Sequence, residues 1–161
     1  MTIQIVKVNY RNIQQLRDLA KQLVAYSADP MGGGEALPDA QALQNIVAMS
    51  KKSFAHSFLA YQENLAVGFC NCFESFSSFA GKPVVNIHDI AVSKDFRGKG
   101  IGTQLLQAVE RHAAGIHAAK LTLEVLEGNT TAQRSYQQFG FQPYELGEGF
   151  GCAQFWQKSL E

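Results

Sequence analysis

Val92-Ser93-Lys94-Asp95-Phe96-Arg97-Gly98-Lys99-Gly100-Ile101-Gly102 joins two segments of different period. The apolar run from Val84 to Val92 enters it, and an amphipathic segment from Gly102 to about Ala114 leaves it. Strand, glycine-rich turn and helix in that order make an anion site. Glycines allow close backbone approach and φ values that other residues resist. The N–H groups of the turn and of the first helical residues have no helical partner and converge. The helix dipole adds about half a positive charge at the same place. Phosphate suits such a site.

The spacing excludes two common phosphate motifs. A P-loop requires Gly-x-x-x-x-Gly-Lys-Ser/Thr, which is absent from this turn. A dinucleotide fingerprint requires Gly-x-Gly-x-x-Gly after a first strand, with an acidic residue roughly 20 residues on. Here the glycines fall as Gly98-x-Gly100-x-Gly102, and the strand before them lies in mid-chain. A plain glycine turn before a helix is the competing reading of the loop taken alone.

Composition bounds the answer. A chain of 161 residues with 46% hydrophobic content is expected to form one domain, residues 1–161, with an adequate core. The 14 basic and 14 acidic residues cancel, so there is no bulk attraction to nucleic acid or to an anionic membrane. No apolar run approaches the ~20 residues that span a bilayer. Met1-Thr2-Ile3-Gln4-Ile5 lacks the pattern of a signal peptide. Cys70, Cys72 and Cys152 show no framework spacing, which fits a reducing cytoplasm. Cys70-x-Cys72 lacks a second Cys/His pair to complete a tetrahedral set, so no metal is expected there.

Outward from the loop, the periodicity predicts a strand over 4–9 and a helix from Asn12, with Gln15 as capping-box partner, to about Ser27. Residues 28–38 form a glycine-rich loop, expected to be a mobile lid or connector. Asp39 is expected to cap a second helix. Strands follow over 57–62 and 65–76, with Glu63-Asn64 as a tight hairpin turn, and then over 84–92. After the glycine loop and its helix come a strand over 120–126 and a helix over 129–139 stopped by Gly140. Final strands are expected over 142–146 and 153–159, around Gly147-Glu148-Gly149-Phe150-Gly151.

Val92-x4-Arg97-x-x-Gly100-x-Gly102 resembles the acyl-CoA loop of the GNAT superfamily of N-acetyltransferases. Asn129-x-x-Ala132-x-x-x-Tyr136-x-x-x-Gly140-Phe141 is similar to that family's second CoA-contacting segment. The element order looks like the GNAT fold over nearly the whole chain. The resemblance implies an α/β (α+β) architecture: a mixed, strongly twisted sheet of about seven strands flanked by about four helices.

The resemblance also implies a chemistry. Acetyl-CoA would be the co-substrate, and its pyrophosphate would rest on Arg97, Gly98, Lys99, Gly100, Ile101, Gly102 and Thr103. Its pantetheine arm would lie along Ile90, Ala91 and Val92, with Asn129 bonding the arm or simply capping its helix. A backbone N–H near Val92 would polarise the thioester carbonyl. Tyr136 occupies the position of the family's general acid, which protonates the leaving thiolate; packing beside Phe139 is its structural alternative. Several family members carry Glu-Asp in the strand before the loop, where this chain has His88-Asp89. His88 is thus the candidate base, or a packed histidine. It would share a face with Ile90 and Val92 unless a bulge re-aims it. Asp89 is expected to anchor structure, and Glu74 and Glu124 are weaker base candidates.

The acceptor would be a small-molecule amine approached by Phe76, Phe79, Phe150, Asp29, Glu35, Glu74 and Glu148. A protein or peptide amine is the second reading, and a non-catalytic acyl-CoA-binding module the third. No cysteine is placed as an acyl carrier, which implies direct attack. Family analogy implies a homodimer.

Overall fold

The computed structural model describes residues 2–160. They form two compact units, divided between Leu123 and Glu124. Among the described residues no helix is long and apolar enough to cross a membrane.

The first unit holds a sheet ordered β1-β2-β3-β4-β5. Its strands are β1 (Ile3–Lys7), β2 (Ala55–Gln62), β3 (Leu65–Ser77), β4 (Lys82–Val92) and β5 (Lys120–Leu123). The first three pairings are antiparallel and β4–β5 is parallel, so the sheet is mixed. Glu63 turns the β2–β3 hairpin at φ 55°, and Gln62 pairs with Leu65 across it. This is the left-handed backbone that a tight hairpin needs.

Helices α1 (Ile13–Ala28) and α2 (Asp39–Met49) cover one face of this sheet. Asn12 Oδ1 accepts from the N–H groups of Gln14 and Gln15 at 3.0 and 3.2 Å. The Gln15 side chain reaches back as the capping box predicts, but it accepts from Asn9 N rather than from the cap residue. Asp39 is the first helical residue and not the cap, a position held by Pro38 with no side-chain bond. Its charge still favours the helix N-terminus through the dipole. Leu16, Leu19 and Ala20 of α1 and Ala42 and Ile46 of α2 bury against Leu59 and Phe69 of the sheet.

Helix α3 (Ile101–Gly115) packs on the other face, burying Ile101, Leu105, Leu106 and Val109. Gly68 lies on this face against Leu105. A Cβ there would stand 3.0 Å from Ala91 O, so the close approach of β3 to the end of β4 depends on a glycine.

The second unit contains α4 (Thr130–Phe139). The strands expected over 142–146 and 153–159 do not form. The described residues hold five strands and a single antiparallel bridge, Glu145 to Cys152. Leu146, Phe155 and Trp156 are 77%, 75% and 82% exposed, so this segment alternates without burying a face. An isolated hairpin is marginal in water without such a face. Likewise β5 stops at Leu123, three residues before the predicted end at Leu126.

Candidate active site

Strand β4 changes character halfway along. From Val84 to Ile87 it is paired on both sides, with β3 and with β5. The β5 pairing ends at the Ile87–Leu123 pair, while the β3 pairing continues to Val92. Alternate residues of 88–92 therefore turn their backbone N–H and C=O groups toward an edge that β5 does not cover.

The change begins with a bulge. Ile87 pairs with Cys72 and Asp89 with Asn71, which leaves His88 as the extra residue. A bulge puts two consecutive side chains on one face. Asp89 stands opposite Asn71, and the His88 ring lies 5.1 Å from that of Phe73. Both belong to the α1/α2 face, with Phe69. Ile90 and Val92 pair with Cys70 and Gly68 on the α3 face. His88 therefore does not share a face with Ile90 and Val92, and the extra residue is the physical reason. His88 is exposed.

Asp89 ends a buried polar chain that sequence reasoning missed. Asn71, 1% exposed, donates from Nδ2 to Asp89 Oδ2 at 3.0 Å. Ser57 donates to Asn71 Oδ1 at 2.7 Å, and Tyr10 and Ser57 hydroxyls meet at 2.9 Å. The single serine proton is committed to Asn71, so Tyr10 is the donor to Ser57. The chain anchors Asp89 through the Asn71 side chain. Its available signal was one polar residue, Asn71, inside the apolar run Phe69-Cys70-Asn71-Cys72-Phe73.

Beyond Val92 the loop takes the geometry its glycines permit. Gly98 and Gly100 both sit at φ 74°, the left-handed region that L side chains resist. The first helical bond of α3 runs from Gln104 N to Gly100 O at 3.1 Å. The N–H groups of Ile101, Gly102 and Thr103 thus have no partner inside the helix. A Cβ added at Gly98, Gly100 or Gly102 would meet nothing within 4 Å, so a phosphate-sized group has room against this backbone.

The loop cations are engaged within the protein. Arg97 donates from Nε to Val92 O at 2.9 Å and from a terminal nitrogen to Asp29 Oδ2 at 2.7 Å. Arg97, followed by the Met31 N–H, holds the Asp29 carboxyl below its ordinary range. The residue 28–38 loop is thus tied to the glycine loop. Lys99 donates to Asp95 O at 2.9 Å and stands 4.9 Å above the Phe96 ring. Of the other acidic candidates, Glu74 faces α3, away from Asp89, and bonds His56.

In the second unit, Asn129 caps α4, its Oδ1 accepting from Ala132 N at 3.2 Å. Gly140, at φ 111°, ends the helix and donates to Tyr136 O and Gln137 O. Tyr136 is half-buried and packs edge-on against Phe141, 6.0 Å between centroids.

The description "Acetyltransferase (GNAT) family" fits a family model that matches residues 18–141. The chain belongs to that family. The chain is 32% identical over 89 residues to a thialysine N-epsilon-acetyltransferase of Bos taurus. That match covers 55% of this chain and 52% of the relative, so the chain spans about half the bovine protein's length. It is 25% identical over 146 residues to aminoglycoside N(6')-acetyltransferase type 1 of Salmonella enteritidis, covering 88% of this chain and 92% of that protein. Among solved structures, aminoglycoside N-acetyltransferase AAC(6')-Iy in complex with CoA superposes with a TM-score of 0.70 at 24% identity. The superposition covers 98% of this chain and 95% of that one, and it establishes the shared fold.

Proposed function

We propose that this family member is an acetyl-CoA-dependent N-acetyltransferase, a single functional domain acting on a primary amine of a small molecule. The observation that carries the reading is the edge of β4 left uncovered beyond Ile87, running into the outward N–H groups of the glycine loop. Both relatives described above carry names of enzymes that acetylate small amines.

Acetyl-CoA supplies an acyl group activated as a thioester. The chain's own residues hold it and move protons. The N–H groups of Gly98 to Thr103 hold the pyrophosphate, aided by the α3 dipole. Arg97 and Lys99 add charge only on leaving Asp29 and Asp95 O. Backbone groups of Ile90, Ala91 and Val92 hold the pantetheine arm, and an N–H near Val92 stabilises the oxyanion. Asn129 has committed Oδ1 to its cap, so its part toward the arm falls to the Nδ2 amide. An alkyl ammonium has a pKa close to that of Lys, ~10.4, and must lose a proton before attack. His88 takes that proton, directly or through one water. As nitrogen forms the new C–N bond and the C–S bond breaks, Tyr136 donates its phenolic proton to sulfur, and the remaining proton that the amide nitrogen must lose returns through water to the tyrosinate.

Direct transfer is supported by the thiols. Burial pushes Cys70 well above its ordinary pKa and Cys72 up to about 12, so neither forms the thiolate an acyl carrier needs.

Thermal unfolding with acetyl-CoA, CoA and ATP tests the foundation. A ligand at a hundredfold excess over Kd adds about 2.7 kcal/mol, a midpoint rise of several degrees. A rise with the CoA species and not with ATP is expected, followed by turnover in a panel of aminoglycosides, polyamines and peptides. No rise with either CoA species overturns the reading. Tyr136→Phe is expected to lower kcat by about 10²-fold at unchanged CoA affinity. Collapsed affinity with normal residual turnover would reassign Tyr136 to binding.

A further inference from the structure

Three side chains that the acetyl-transfer reading leaves unused converge on the α3 face of the sheet: His56 of β2, Glu74 of β3 and His112 of α3. One ligating atom from each lies within 4.8 Å of the other two. His56 Nε2 bonds Glu74 Oε1 at 2.5 Å, and His112 Nε2 stands 3.7 Å from the same oxygen. The imidazole centroids are 4.3 Å apart. The side chains are only 16%, 30% and 11% exposed, in the order His56, Glu74, His112.

The cluster is incomplete as hydrogen bonding. A separation of 3.7 Å is too long for a bond. His112 Nε2 is buried and has no hydrogen-bond partner among the described residues. Buried polar atoms are rarely left so. Two imidazole nitrogens and one carboxylate oxygen are, however, a complete His2Glu donor set for a tetrahedral ion that keeps one open position. Imidazole with carboxylate selects zinc and its first-row neighbours over calcium or magnesium.

We propose that His56, Glu74 and His112 bind a divalent transition-metal ion of the zinc class, pinning α3 to the sheet. Bonds of ~2.0–2.1 Å at tetrahedral angles put ligand atoms ~3.3 Å apart. His112 and Glu74 are within a few tenths of an ångström of that spacing. The His56–Glu74 contact opens by ~0.8 Å as Glu74 turns from the imidazole to the ion.

Lys7 opposes the ion. Its Nζ lies 3.3 Å from His112 Nδ1. An ammonium donating there needs the Nδ1 lone pair, whereas a metal on Nε2 needs the proton on Nδ1. Lys7 is exposed, so its side chain can swing into solvent when the ion enters. The site lies on the face of the sheet opposite to His88, whose ring packs near Phe73. Glu74 is six residues along β3 from Gly68, the partner of Val92, or about 20 Å at strand rise. Its readout is therefore affinity and stability rather than turnover.

The test uses the full chain without an affinity tag, stripped with chelator and titrated with zinc chloride by calorimetry. Cobalt chloride, followed by visible absorption, gives the coordination signature. One ion per chain is expected, with cobalt d–d bands and a midpoint rise of several degrees. Glu74→Gln and His112→Gln are each expected to weaken zinc at least about a hundredfold, since outer-shell changes alone cost 10–100-fold. Lys7→Gln is expected to tighten it by about tenfold. The proposal is overturned if the stripped chain binds no ion. It is also overturned if binding survives His112→Gln and is lost instead in Cys152→Ser or His117→Gln. Should His112→Gln fail to fold, zinc affinity unchanged by Lys7→Gln overturns it equally.

Discussion

The two halves of β4 are one continuous strand with opposite uses. Val84 to Ile87 is flanked by β3 and β5, and Val85 and Ile87 are 0% and 2% exposed. His88 to Val92 keeps only the β3 partner, opens with a bulge and ends at the glycine loop. The first half stabilises and the second presents backbone. The difference teaches that one extra residue can separate packing from function: His88 and Asp89 face α1 and α2, while the core alternation behind them is undisturbed.

That division can be broken from the packed side. Ile87→Ala is expected to cost about 3 kcal/mol through lost burial and a residual cavity. Urea unfolding measures it, and acetyl-CoA affinity at a temperature where the variant is folded should stay unchanged. A parallel loss of affinity would mean the halves are not independent.

Asn71→Leu attacks the support of the bulge. It strips partners from the Ser57 hydroxyl and the Asp89 carboxylate, an expected cost of about 2 kcal/mol. Unlike Ile87→Ala, it should also lower kcat in the folded fraction, because Asp89 neighbours His88. Normal turnover per folded molecule would confine the polar chain to stability.

His88→Gln addresses the open half alone. The side chain is exposed, so stability should change by no more than about 0.5 kcal/mol. Turnover at neutral pH should fall by about 10²-fold. Unchanged turnover would move the base elsewhere.

The smallest effect belongs to the strut between the loops. Asp29→Asn removes an exposed ion pair with Arg97, worth about 0.5 kcal/mol. The Asp29 carboxyl is held below its ordinary range, so its contribution is present above the unfolded pKa and is lost as pH falls through the lowered value. Urea midpoints of wild type and variant should differ at pH 7 and converge in strong acid. A difference that persists in acid would show that the ion pair is not its source.

Much of this architecture was legible because it is local. Asn12 and Asn129 cap their helices, Gly140 ends α4, and Glu63-Asn64 turns a hairpin through interactions within a few residues. The glycine loop was readable for the same reason: positive φ at Gly98 and Gly100 is a property of single residues. Strands over 142–146 and 153–159 were misread because alternation states which side chains could bury, not whether a partner surface covers them.

The chain alone therefore determined the family signature, the strand–loop–helix unit and the caps, each set by short-range sterics and hydrogen bonds. Tertiary structure alone decided which residues meet across strands. Asn71 reaches Asp89 across 18 positions, Arg97 reaches Asp29 across 68, and His112 meets Glu74 from a different element. A one-residue bulge reverses every face assignment beyond it, and it arises from pairing register, which no single strand's pattern contains.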